Sequence, residues 1–441
     1  MIDSAPRNLY STGAAAPFAG RGSAFARLRR QLTDPAHHGA LLVLGRQRIG
    51  KSAFLHAFHA AFDESFVGIY VPLRTFQNQQ ESEWWLGIAQ TITEHLIERA
   101  FTLTRLQELQ PPETDARDWF TSSFLPPVLA LIRPHRRLVL LLDDIDALLD
   151  AMQQGFMRPD TLTYLRAMLD QFSQFHVVPA LSLRFEARLS ELHPLVLPTN
   201  TVRLTSLSPD ETAWLLSAPV QQLYTIDADA LTAAHRLTGG EPAFAQTLGA
   251  ALFKRYLSED KTTFTAEDIK RAGQSLYRQI ELDLRDVWES LTYNEQRVLK
   301  AISQLIYADP LRPVELNTIA AWLADTDDPL DSTGISAALR SLEYREVVAL
   351  LPEGIRIESE WMQRFLLENA YNVPLAAAPP SGSMSAAGAL LRRNRGLRIA
   401  LLLILVAMLI AGIVLLSALS SLPQEAEIIP SQPTVTLFGG G

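Results

Sequence analysis

The octapeptide Gly45-Arg46-Gln47-Arg48-Ile49-Gly50-Lys51-Ser52 restricts the possible folds of this chain more than any other stretch. It fits G-x-x-x-x-G-K-[ST] in full, with the apolar run Ala40–Leu44 leading in and a helical pattern, Ser52–Phe62, leading out. Strand, loop and helix in that order is the context in which the pattern has physical meaning. The glycines let the backbone curl so that its N–H groups converge. The helix N-terminus adds partial positive charge at the same point, so the loop suits a phosphate chain. Lys51 is expected to reach the β- and γ-phosphates of a nucleotide, and the Ser52 hydroxyl to ligate Mg²⁺. Gly45, Arg46, Gln47, Arg48, Ile49, Gly50, Lys51, Ser52 and Ala53 are the expected nucleotide-binding residues.

Short aliphatic runs alternate with helical patterns from residue 18 to 207, which predicts an α/β domain with a parallel sheet. Candidate strands are Ala40–Leu44, Phe66–Val71, Leu138–Leu142, Val177–Leu183 and Thr201–Leu204. They lack strict alternation, as expected of strands buried on both faces. The run Leu138–Leu142 ends in Asp143-Asp144. Asp143 is expected to hold Mg²⁺ through water beside Ser52, and Asp144 to polarise an attacking water as the catalytic base, with Lys51 as its catalytic partner. A plain helix-capping role for the acids Asp143, Asp144 and Asp146 is the alternative.

A helical region, 208–285, opens at Ser208-Pro209-Asp210-Glu211, which combines an N-cap serine, proline at the first helical position and glutamate three residues on. It is broken at Gly239-Gly240-Glu241-Pro242. A third region, 286–373, carries the Thr292/Glu295 capping box and helices near Glu295–Ile306, Leu316–Ala324 and Ile335–Tyr344. The runs Val347–Leu351 and Gly354–Glu358 follow, giving a winged-helix pattern. Fifteen acids against seven bases in this region argue against a DNA-binding surface. Docking on the core or on a protein partner suits it better. Of Trp84 and Trp85, adjacent on one helix, one is expected to face outward.

Residues 1–17 read as a disordered leader and 374–398 as a linker with a basic juxtamembrane end. Residues 399–422 are uncharged and apolar, long enough at about 1.5 Å per residue to cross a bilayer core of roughly 30 Å. Arg392, Arg393, Arg395 and Arg398 precede this run and no base follows it. The bulk of the chain is therefore expected on the cytoplasmic side of a single-pass span, with 423–441 as a short outer tail, and a bacterial plasma membrane is the favoured setting. The basic cluster suits anionic lipid headgroups. The chain has no cysteine, which excludes disulfides and thiolate metal sites, and its net charge of −9 argues against a generally basic, nucleic-acid-binding surface.

The chain resembles the STAND and origin-recognition-like branch of the AAA+ P-loop ATPases. Phe18-Ala19-Gly20-Arg21 looks like that branch's amino-terminal F-x-G-R motif, and an extra strand separates the phosphate loop from Asp143. Leu204-Thr205-Ser206-Leu207-Ser208 resembles its junction into a helical lid, and Gly240-Glu241-Pro242 with Gln246 resembles the lid's G-x-P motif. The resemblance covers residues 18–370 and implies a P-loop NTPase sheet, helical lid and winged helix in series. It also implies ATP and ADP with Mg²⁺ as ligands, a nucleotide-driven conformational switch and homo-oligomerisation. Pro242 would approach the nucleotide, or merely start a helix. Arg184 or Arg188 would sense the γ-phosphate, or be an ordinary surface arginine. The alternatives to a switch ATPase are a non-hydrolysing scaffold that presents the winged helix to a protein partner, and a membrane-tethered DNA-handling ATPase.

Overall fold

The computed structural model describes residues 8–10, 18–34, 39–99, 101, 115–132, 135–307, 312–326 and 328–369. They belong to a unit that extends to Ala377; a second unit, Ala378–Gly441, lies outside the described residues, as does the expected span at 399–422. Among the described residues no helix is long and apolar enough to cross a membrane.

Five strands, β1 (Ala40–Gly45), β2 (Phe66–Pro72), β3 (Arg137–Asp143), β4 (Phe175–Ser182) and β5 (Val196–Leu204), form a parallel sheet in the order β2-β3-β4-β1-β5. The strands are aliphatic throughout because each face of the sheet is covered. In β3, Leu138, Leu140 and Leu142 enter one core while Val139 and Leu141 enter the other. Helices α1 (Gly22–Thr33) and α2 (Lys51–His56) cover one face; α3 (Glu81–Glu98), α4 (Leu125–Leu131), α5 (Asp146–Gln154) and α6 (Thr161–Gln171) cover the other. The helix expected over Ser52–Phe62 is interrupted at Ala57, with a short second turn at Phe58–Ala61. Trp84 and Trp85 are both fully buried, contrary to the expectation that one faces outward. The Phe76 ring packs on Trp84, and the Phe120 and Tyr164 rings pack on Trp85, so both indoles meet protein although α3 keeps an exposed face at Ser82, Glu83, Gln90 and Glu94.

The next helices are α7 (Pro209–Ser217), α8 (Ala228–Thr238), α9 (Pro242–Glu259) and α10 (Ala266–Glu289), with two short parallel strands, β6 (Thr225–Ile226) and β7 (Thr263–Phe264). The reciprocal Ser208/Glu211 capping box starts α7. Then come α11 (Tyr293–Leu305), α12 (Leu316–Ala324), α13 (Ser332–Tyr344), the antiparallel hairpin β8 (Val348–Leu351) and β9 (Gly354–Ile357), and α14 (Glu360–Asn369). Val314 bridges to Ile355 and extends the hairpin by one pairing. The expected boundary at 285/286 falls inside α10. Leu284 and Trp288 of that helix join one core that runs from Leu216 to Leu366, so α7–α10 and the terminal helices share their interior.

Part of the expected leader is packed. Tyr10 is buried against the backbone of Gly249 on α9, its hydroxyl donates to the Leu216 carbonyl, and Asn8 donates to the Ala250 carbonyl at 3.3 Å.

Candidate nucleotide site

In register, Gly45 at the end of β1 lies beside Ser182 of β4 and Leu204 of β5, while Pro72 of β2 lies beside Asp143 of β3. Parallel strands that stop together place their following loops on one edge, the usual ligand edge of such sheets. The loop Arg46–Gly50 leaves there and turns into α2. A Cβ at Gly45 would lie 2.6 Å from the Ile49 side chain and 3.2 Å from the Leu204 carbonyl, so the loop can fold this tightly only over glycine. Gly50 has φ +92°, where glycine alone is unstrained. Arg48 also takes a positive φ, 64°, and its guanidinium pairs with Asp283 on α10.

Lys51 is buried, and its Nζ donates to the Arg46 carbonyl at 2.7 Å and to the Gly45 carbonyl at 3.2 Å. Burial pushes its pKa down to about 8, against the opposing pull of Asp143, Asp144 and Asp146. Ser52 and Ala53 are exposed on the first turn of α2, while Ile49 is buried beneath the loop and Gln47 is exposed on it. Asp143 is buried; Tyr70 Oη donates to its Oδ2 at 2.8 Å, and the Asp144 amide donates to its Oδ1 at 3.1 Å. Burial, then Asp143 itself, raises the Tyr70 pKa, so the phenol stays a donor. Asp144 has φ 53°, and its Oδ2 accepts from Arg74 Nε at 2.7 Å. Arg74 also reaches Asp146 Oδ2 at 2.8 Å. Burial raises the pKa of Asp146, and Arg74 works against that rise.

These groups open onto a cavity of about 1590 Å³ whose lining includes Lys51, Ser52, Arg74, Asp144, Ser182 and Arg184. Its far wall is α9 and α10, including Phe244, Gln246 and Ile280. Pro242 is the first residue of α9 and is half-buried; Ala243 and Phe244, which follow it, line the cavity. Ser182 Oγ is buried and has no hydrogen-bond partner among the described residues. Arg184 faces the same cavity and donates to Gln47 Oε1 at 3.4 Å, whereas Arg188 is tied to Asp150 and Glu191. Among the described residues no group of three or more His, Cys, Asp or Glu has metal-holding geometry. The oxygens of Ser52 and Asp143 near Lys51 fit a divalent ion shared with phosphates, which needs only one or two protein ligands.

Sequence reasoning missed the partners that hold this edge together. Arg21, buried, donates through Nη2 to the Ile49 carbonyl at 2.8 Å and through Nη1 to the Thr205 carbonyl, fastening the F-x-G-R segment to the loop. Arg46 pairs with Glu241 at 3.1 Å and Glu346 at 3.5 Å. Tyr70 and Arg74 sit on or just after β2, a strand whose end carries no motif.

Residues 17–178 match the family model described as AAA ATPase domain. Over that stretch the chain is similar to an AAA ATPase domain, and the similarity supports nucleotide binding. No curated protein matches the chain. Among solved structures, a Walker-type ATPase of Pyrococcus abyssi is similar at TM-score 0.52 and 17% identity, over 79% of this chain and 96% of that one. That likeness is one of fold. The Aeropyrum pernix ORC2 protein, in ADPNP–ADP complexes, matches at TM-score 0.44 and 12% identity over 83% of this chain and 99% of that one. The RuvB Holliday junction branch migration motor of Thermotoga maritima matches at TM-score 0.40 and 15% identity over 81% and 97%.

Proposed function

We infer that this chain is an ATP-binding AAA+ ATPase of STAND-like type, working as a nucleotide-dependent conformational switch tethered to a membrane. The observation that carries the reading is the convergence of Lys51, Ser52 and Asp144 on one cavity between the sheet edge and α9–α10, with Asp143 directly behind them. Loop amides and Lys51 bind the phosphates; Ser52 and, through water, Asp143 would hold Mg²⁺, which would supply charge neutralisation at the phosphates. Asp144 accepts the proton of the attacking water, and the free Ser182 hydroxyl and Arg184 lie on the same wall to meet the γ-phosphate. Turnover needs Asp144 released from Arg74, since a carboxylate held by a guanidinium is a poor base. Pro242 and the first turn of α9 close the site from the lid. The three helices α11–α13 with the β8–β9 hairpin act as a winged helix that docks protein, not DNA.

The Arg74–Asp144 pair also favours a second reading, a nucleotide-binding scaffold with little hydrolysis. Mg²⁺-dependent ATP turnover by the full-length protein separates the two. A rate abolished in Lys51→Ala and Asp144→Asn supports the ATPase; binding without turnover supports the scaffold. The anchor rests on the uncharged run 399–422 and the arginines before it. Deletion of 399–422 is expected to move the protein from the membrane to the soluble fraction, and an unchanged distribution would refute the tether.

A further inference from the structure

Three successive residues at the corner between α13 and β8 touch the α/β domain beside the phosphate loop. The Tyr344 ring lies under the Arg203 guanidinium at 3.6 Å; Arg345 faces Glu186 at 3.7 Å; Glu346 accepts from the Ser206 amide at 3.0 Å and its hydroxyl at 3.1 Å. Glu346 takes φ 55° because it ends α13: its amide bonds to the Glu343 carbonyl and the Val347 amide to the Leu342 carbonyl, a left-handed helix stop. Its carboxylate meets Arg46, the second residue of the phosphate loop. Its guanidinium donates to Ser206 Oγ at 2.9 Å and pairs with both Glu346 and Glu241. Glu241 is buried, and burial raises its carboxyl pKa while Arg46 opposes the rise. Arg46 therefore joins three parts of the chain: the loop that carries it, the lid residue Glu241 before α9, and the α13–β8 corner.

Its backbone belongs to a second network, because the Arg46 carbonyl accepts from Lys51 Nζ. A phosphate drawing on Nζ competes for that bond, and the loop residue whose carbonyl is released is the one whose side chain holds the corner. We propose that Arg46 couples phosphate occupancy at Lys51 to docking of the α13–β8 corner, with Ser206, Glu241 and Glu346 as its positioning partners. The coupling rests on the nucleotide-binding reading above. Because linkage is reciprocal, loosening the corner changes nucleotide affinity by the factor by which nucleotide changes corner docking.

The test uses the full-length chain and its Glu346→Gln and Ser206→Ala variants, with two readouts: ADP affinity by calorimetry and amide exchange at Glu346, Val347 and Glu358. Those amides are bonded to Glu343, Leu342 and Val347 carbonyls. Saturating ADP is expected to change corner exchange in the wild type, and each variant is expected to shift ADP affinity by roughly fivefold or more, within the usual range of site coupling. Ser206→Ala removes only a hydroxyl, so it decides the matter if Glu346→Gln fails to fold. Faster corner exchange with ADP affinity equal to the wild type would overturn the coupling and leave a purely structural contact. Absence of ADP binding in the wild type would instead overturn the nucleotide reading, and the coupling with it.

Discussion

The phosphate loop has two sides, and they are built by different means. On the inner side, Lys51, Ser52, Asp143 and Asp144 lie close to strand ends and are arranged by the backbone of β1, β3 and α2. On the outer side, Arg46 and Arg48 meet Glu241, Asp283 and Glu346, acids at the start of α9, on α10 and at the α13–β8 corner. The inner side keeps a buried lysine with a lowered pKa and a Ser182 hydroxyl that has no partner among the described residues and is open to a ligand. The outer side has spent its charges on each other. Chemistry and coupling can thus share eight residues without sharing side chains.

The largest effect that would sharpen this division is on the inner side. Replacing Asp144 with Asn is expected to lower steady-state ATP turnover by about 10²–10⁴-fold, the usual range for a general base, with ADP affinity little changed. A turnover equal to the wild type would remove Asp144 from the reaction.

On the outer side the expected effect is on stability. Arg46 and Glu241 have side chains only 14% and 8% exposed, so Arg46→Ala leaves a buried carboxylate without its cation. Urea unfolding at neutral pH is expected to show a loss of roughly 3–5 kcal/mol. The sign of the pH dependence follows from the raised pKa of Glu241. A carboxyl with a folded pKa above its unfolded value favours the fold when protonated, so the Arg46→Ala deficit should shrink as pH falls through the folded value. A deficit that grows toward acid would contradict this account of Glu241.

A smaller, graded effect returns to the inner side. With a pKa of about 8, Lys51 is mostly charged at pH 7 and mostly neutral at pH 9. ATP affinity measured by titration should therefore weaken by roughly tenfold for each pH unit above 8. A flat profile to pH 9 would mean that burial does not depress this lysine. The smallest effect belongs to Arg184→Ala, whose side chain is exposed and whose bond to Gln47 is long, at 3.4 Å. Its stability cost should stay below about 1 kcal/mol in chemical unfolding. A larger loss would make Arg184 structural and place it with the outer set.

This division also explains what was legible beforehand. The sheet could be read because strands buried on both faces are continuous aliphatic runs, and the loop because glycine geometry and a lysine at fixed spacing leave a local signature. The helix starts at Ser208 and Thr292 were readable for the same reason, since a capping box needs only residues three apart. The partners of Arg46 lie far along the chain at Ser206, Glu241 and Glu346, and no local pattern announces them. Burial of both Trp84 and Trp85 was equally hidden, because it depends on Phe120, on Tyr164 of α6 and on Phe76 in the preceding turn, which pack against the two indoles. The packing of Tyr10 on α9 was obscured by its polar and small-residue neighbours. The shared core across α10 was missed because a capping box marks a helix start, not a domain boundary.

The most direct test of the central claim is calorimetric titration of the full-length protein and its Lys51→Ala variant with ATP and with ADP. The account predicts saturable binding by the wild type and at least a hundredfold loss in the variant, with both proteins folded. Equal affinity in the two, or no binding by a folded wild type, would contradict it.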